Sequence, residues 1–123
     1  MKQKICVMGL GYIGLPTASL LANRGYQIYG VDVLQSIVDI IKSGKVHIVE
    51  PVLDTFVKSA INSGHLIVDI EPREADIFII AVPTPFKKGF VSNIDFVLSA
   101  TRKIAPYLRE GNIVILESTS PIG

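Results

Sequence analysis

Gly9-Leu10-Gly11-Tyr12-Ile13-Gly14 spaces three glycines as G-x-G-x-x-G, and the next apolar run, Gln27-Ile28-Tyr29-Gly30-Val31, ends on Asp32. Each residue type has a task at an anionic, two-phosphate ligand. Gly9 permits a tight turn out of a strand, and Gly11 lacks the β-carbon that would hold a pyrophosphate away from the backbone. Gly14 lets the following helix lie close to the sheet, with small Ala18 one turn later. A helix starting at this loop offers free N–H groups and the positive end of its dipole to phosphates. Asp32 supplies acceptors for the hydroxyls of an adenine-side ribose and repels a 2′-phosphate. Two unit charges about 4 Å apart cost roughly 1–4 kcal/mol between water-like and surface-like screening. No arginine follows in Val33-Leu34-Gln35-Ser36 to accept such a phosphate, so the pattern reads as NAD in preference to NADP. The glycine motif alone is shared with FAD proteins, and FAD or S-adenosylmethionine stays open on that motif.

Holding these groups requires a strand before the loop, a helix after it and a second strand up to the acid. Periodicity places strands at Lys4 to Met8 and Gln27 to Val31, with a helix from about Gly14 to Arg24 stopped by Gly25. A helix from about Gln35 to Lys42 buries Ile37, Val38, Ile40 and Ile41, and Gly44 closes it. Pro51 suits the first turn of a helix through Leu53, Phe56, Val57 and Ile61, ending near Gly64. A short strand spans His65 to Ile70, and the apolar run after Asp76, Ile77 to Val82, suits a central parallel strand. Ser92 with Asp95 three residues on is a capping box for a helix to about Ala105, which Pro106 bends or ends. Asn112 to Glu117 is the fifth strand. Strands alternating with helices predict an α/β, Rossmann-like doubly wound parallel sheet with right-handed crossovers in the order 3-2-1-4-5.

Ligands bind such sheets at the carboxyl ends of the strands. The loops converging there are Gly9 to Gly14, Pro83-Thr84-Pro85 after Val82, and Ser118 to Gly123. Thr84 and Thr119 offer hydroxyls at the mouth, although threonine and proline also serve plain strand-ending turns.

A chain of 123 residues that is 49% apolar and 19% charged has the material for one core. Its net charge of +1 gives no electrostatic case for nucleic acid or anionic membrane as a partner. The uncharged stretch from Ile5 to Ala22 after Lys2 and Lys4 imitates a signal peptide or membrane span. Its glycines at motif spacing and Pro16 argue instead for a cytoplasmic domain. Cys6, the lone cysteine, excludes an intrachain disulfide and reads as inert strand core. His47 and His65 have no cysteine or carboxylate at ligand spacing, so no metal is expected.

The segments Gly9 to Pro16, Gly30-Val31-Asp32, Val46-His47-Ile48-Val49-Glu50-Pro51, Ala81 to Pro85 and Glu117-Ser118-Thr119-Ser120-Pro121-Ile122-Gly123 resemble the UDP-glucose/GDP-mannose dehydrogenase family. The resemblance runs the length of the chain. It implies oxidation of the C6 alcohol of a nucleotide sugar to the uronate, consuming NAD twice. It also implies that Tyr12, Ile13 and Asp32 contact the adenosine diphosphate part of NAD, beside Gly9, Gly11 and Gly14. Thr84 then lies on the nicotinamide side, with Val82 and Ser118 alongside, and Thr119 matches the threonine that holds a water near the reacting carbon. The segments at Val46 to Pro51 and Glu117 to Gly123 point within the family to the branch acting on UDP-N-acetyl-D-mannosamine; UDP-glucose or GDP-mannose is the alternative. Glu117 stands where members acting on UDP-glucose often carry lysine. Lys87-Lys88-Gly89 carries no transferable function.

The family's catalytic cysteine and lysine, its dimer helix and its sugar-nucleotide domain would lie past Gly123, and Cys6 matches none of them. Residues 1–123 are therefore expected to be a single NAD-binding domain, the N-terminal part of a larger homodimeric dehydrogenase, and inactive alone. An uncovered fifth strand would favour self-association. A stand-alone, non-catalytic nucleotide-binding module is the reading from another functional class.

Overall fold

Strands that are apolar at every position need cover on both faces of their sheet. In the computed structural model, residues 3–11, 13–44, 51–82 and 93–118 are described, without the side chains of 51–53, 82, 93–96 and 118. The elements run β1 (Lys4–Met8), α1 (Gly14–Asn23), β2 (Gln27–Val31), α2 (Gln35–Lys42), α3 (Pro51–Asn62), β3 (Leu66–Asp69), β4 (Ile77–Val82), α4 (Asn93–Ile104) and β5 (Ile113–Ser118). The five strands pair in parallel in the order β3-β2-β1-β4-β5, as the alternation of patterns predicts.

Side-chain alternation along β1 divides the core. Ile5 and Val7 pack with Leu15, Ala18 and Ala22 of α1, Val38 and Ile41 of α2, and Val57 and Ala60 of α3. Cys6 and Met8 face the other way, against Phe78, Ile80 and the α4 residues Ala100 and Ile104. Burial pushes the Cys6 thiol up to about 11, so it stays a neutral thiol at neutral pH, as an inert core residue should.

Element ends differ slightly from the periodicity reading. α4 stops at Ile104, and Pro106 sits in a 3-10 turn at Ala105–Tyr107, because proline has no N–H to continue the helix. Phe56, one of the apolar positions of α3, is 43% exposed. The inward stripe is Val57, Ala60 and Ile61, and Phe56 falls just outside it. The Ser92 cap and His47 lie outside the described residues.

Asp76 has a task that the strand pattern did not show. Its carboxylate accepts the Lys4 N–H at 2.9 Å, its own N–H donates to the Lys4 carbonyl at 2.9 Å, and its carbonyl accepts from Ile113 at 3.1 Å. One residue thus aligns the starts of β1, β4 and β5, on which the register at their far ends depends. At the sheet edge, β5 leaves Ile113, Val114, Ile115 and Leu116 between 43% and 59% exposed, so neither face of this strand is covered by the described residues.

Ser19 on α1 is fully buried, and its hydroxyl has no hydrogen-bond partner among the described residues. An unsatisfied buried hydroxyl costs roughly 1–3 kcal/mol. Ser19→Ala should therefore raise the urea midpoint, by about 1 kcal/mol in unfolding free energy; a lowered midpoint would show that the hydroxyl is bonded after all.

Candidate functional site

β1 ends at Met8, and Gly9 follows with φ of 100°, the left-handed region where a β-carbon is strained. Its N–H donates to the Val31 carbonyl at 2.7 Å, which carries the β1–β2 ladder one residue past the strand. The loop then folds back on itself. A β-carbon on Gly14 would lie 1.7 Å from the Gly9 carbonyl oxygen and 3.1 Å from Cβ of Ala81. Packing of helix on sheet was the expected reason for this glycine; the tighter constraint is the loop's own first residue.

Gly11 is the opposite case. A β-carbon there would meet nothing within 4 Å among the described residues, so its side is open. Beyond it, α1 begins without a side-chain cap and without an acid in its first turn. Leu15 N–H donates to the Gly11 carbonyl at 3.1 Å, and Ile13, half-buried, accepts from Thr17 at 3.3 Å. With Gly11 open and an uncapped, acid-free helix start beside it, the described part of the loop fits a pyrophosphate.

Asp32, expected to meet a ribose, also has bonds within the fold. Its Oδ2 accepts the Leu10 N–H at 3.0 Å, and its Oδ1 accepts the Leu34 N–H at 3.1 Å. The carboxylate ties the glycine loop to the β2–α2 connection, and each oxygen keeps a lone pair for a ligand hydroxyl. The register Met8↔Val31 brings the acid level with the loop.

Next to Asp32 a cleft of about 110 Å³ opens between the ends of β1 and β2 and the helix α4. It is lined by Met8, Gly9, Val31, Asp32, Val33, Ser99, Ala100 and Lys103. Pockets that enclose a drug-sized ligand run to roughly 300–1,000 Å³. This one suits a single ring system at one end of an extended ligand. Ser99, Ala100 and Lys103 escaped the motif reading because α4 reaches the cleft only by crossing over between β4 and β5.

At the other end of the site, Val82 and Ser118 are register partners, so the ends of β4 and β5 lie side by side. The Thr17 hydroxyl on α1 donates to the Glu117 carboxylate, 3.1 Å from either oxygen. Glu117 thereby braces α1 against β5. Tyr12, Thr84 and Thr119 lie outside the described residues. Among the described residues there is no group of three or more His, Cys, Asp or Glu that could hold a metal, and no helix is long and apolar enough to cross a membrane.

Comparison with known proteins agrees with this geometry. The profile of the UDP-glucose/GDP-mannose dehydrogenase family, NAD binding domain, matches residues 3–123. The UDP-N-acetyl-D-mannosamine dehydrogenase of Campylobacter jejuni is 56% identical over 122 residues, which are 98% of this chain and 30% of that protein. The NDP-N-acetyl-D-galactosaminuronic acid dehydrogenase of Ralstonia nicotianae is 51% identical over 121 residues, 98% of this chain and 29% of that protein. Among solved structures, the UDP-N-acetyl-mannosamine dehydrogenase of Staphylococcus aureus superposes with a TM-score of 0.86 at 41% identity, covering 95% of this chain and 29% of its own. The chain spans about 30% of the length of the curated relatives it matches.

The glycines should separate fold from binding. Gly14→Ala should destabilise the protein by at least the ~1–3 kcal/mol of an overpacked site, read in urea melts. Gly11→Val should melt normally yet lose NAD in calorimetric titration; normal NAD binding would remove the loop from the phosphate site. Asp32→Asn sets an amide donor against one of two backbone N–H groups. It should cost roughly 1–3 kcal/mol of stability, weaken NAD and narrow the preference over NADP. Unchanged selectivity would take Asp32 out of the ribose site.

Proposed function

The chain belongs to the UDP-glucose/GDP-mannose dehydrogenase family, as its NAD-binding domain, and we propose from this that it serves a nucleotide-sugar 6-dehydrogenase acting on UDP-N-acetyl-D-mannosamine. In this reading residues 1–123 form a single N-terminal domain, and a further domain brings the sugar nucleotide and the catalytic thiol. Cys6, buried in β1, does not serve as that thiol.

Each part of the cradle then has a role toward the dinucleotide. Gly9, Gly11 and Gly14 clear the path for the pyrophosphate, with Tyr12 and Ile13 beside it at the start of α1. Asp32 accepts the ribose hydroxyls, and the cleft beside it takes the adenine. The strand ends at Val82 and Ser118 receive the nicotinamide half, with Thr84 and Thr119 in the loops that follow. Thr119 positions a water near the reacting carbon. NAD bound in this way supplies the hydride acceptor for C6 of the sugar; the protein's share is orientation and exclusion of misplaced poses.

The observation that carries the substrate is the 56% identity to the Campylobacter jejuni enzyme across 98% of the chain. The Ralstonia relative, named for a different amino sugar, is 51% identical, so the cofactor domain separates these sugars only weakly. The choice is therefore tested on the full-length protein. With NAD as oxidant and a panel of UDP-N-acetylmannosamine, UDP-N-acetylgalactosamine, UDP-glucose and GDP-mannose, the first should show the highest kcat/KM. Preference for any other would overturn the assignment while leaving the cofactor reading intact. We take the whole enzyme to be a cytoplasmic homodimer without nucleic-acid or membrane partners, in keeping with the net charge of +1 on this chain.

A further inference from the structure

Among the described residues, the cleft beside Asp32 contains one cation that no motif accounts for. α4 lines it with Ser99, Ala100 and Lys103, opposite Val31, Asp32 and Val33. Positions 99, 100 and 103 share one helical face, which presents a hydroxyl, a methyl group and an ammonium together. Lys103 is 35% exposed at its side chain, and its Nζ lies 3.9 Å from Oε2 of Glu71, in the connection between β3 and β4. A half-exposed pair at that distance contributes little to stability, so holding the fold together does not explain it.

The cleft's chemistry supplies another reason. Met8, Val31, Val33 and Ala100 offer apolar surface for the faces of a flat ring. The polar edge of that ring needs partners, because polar atoms buried without them are costly. Of the described lining side chains only Asp32, Ser99 and Lys103 are polar, and the free lone pairs of Asp32 are assigned to the ribose. Adenine's edge combines an amino donor with ring-nitrogen acceptors. A serine oxygen can accept from the first, and an ammonium, with three N–H donors, can serve the second while still touching Glu71.

We propose that Lys103 is a specificity-determining residue of the cofactor site, its ammonium donating to the amino-bearing edge of the adenine, with Glu71 as the positioning residue that holds it there. This rests on the NAD reading and extends it from the ribose to the base.

Calorimetric titration of the full-length protein tests it with two ligands, NAD and its hypoxanthine analogue, which differ only at that edge of the base. Lys103→Met keeps the aliphatic stem and removes the donor. It should bind NAD about tenfold more weakly, the loss of one charge-assisted hydrogen bond, with an unchanged melting temperature. Its NAD-to-analogue affinity ratio should move at least about threefold from that of the unsubstituted protein, and Lys103→Arg should restore most of the NAD affinity. Glu71→Gln should give an intermediate loss. Equal NAD affinity in Lys103→Met, or a loss with the ratio unchanged, overturns the assignment; a Glu71→Gln protein that binds like the unsubstituted one removes Glu71 from it. If the unsubstituted protein itself fails to bind NAD, the cofactor reading falls, and this inference with it.

Discussion

The backbone of Gly14 lies so near the Gly9 carbonyl that a β-carbon would sit 1.7 Å from its oxygen, and this contact sets where α1 starts relative to β1. Gly9 can turn so sharply because it occupies positive φ, and its N–H remains in the β1–β2 ladder through Val31. The helix start is thereby pinned to the sheet from within the loop. Any displacement would move the open side of Gly11 away from the strand ends. The position of the glycine cradle is thus a consequence of backbone packing more than of side-chain contacts.

Charge does the selecting around that rigid centre. The chain as a whole is nearly neutral, at +1, so its net charge favours neither sign of ligand. Local groups decide instead. Asp32 at the end of β2 is braced by two backbone N–H groups, so that its carboxylate is already oriented before a ligand arrives. Preorganisation of this kind lowers the ordering cost of binding. On the far side, the Thr17–Glu117 contact secures α1 to β5, while Asp32 secures the glycine loop to the β2–α2 connection.

Function is divided along the same lines. Relatives named for different amino sugars share this domain at similar identity, which is what a part concerned with the cofactor should show. The strands supply a level platform, Asp76 aligns their starts, and the ligand-facing loops emerge together at the other end. Cys6 illustrates the converse. A thiol raised to about 11 by burial within the platform has a packing role and no chemistry.

Local features were legible in the sequence because they follow from local physics. The G-x-G-x-x-G spacing, Asp32 at the end of a strand, the proline that ends α4 and the charge-free strand runs each reflect a backbone state or a burial requirement that neighbouring residues settle among themselves. Together they determined the fold class, the strand order and the type of cofactor. The pairings that complete the site lie elsewhere in the chain. Lys4 meets Asp76 across 72 positions and Thr17 meets Glu117 across 100. Lys103 reaches the cleft beside Asp32 only because α4 crosses between β4 and β5 on the face opposite α1. No periodicity encodes such meetings, since they depend on which faces of distant elements pack against each other. Tertiary structure alone decided them.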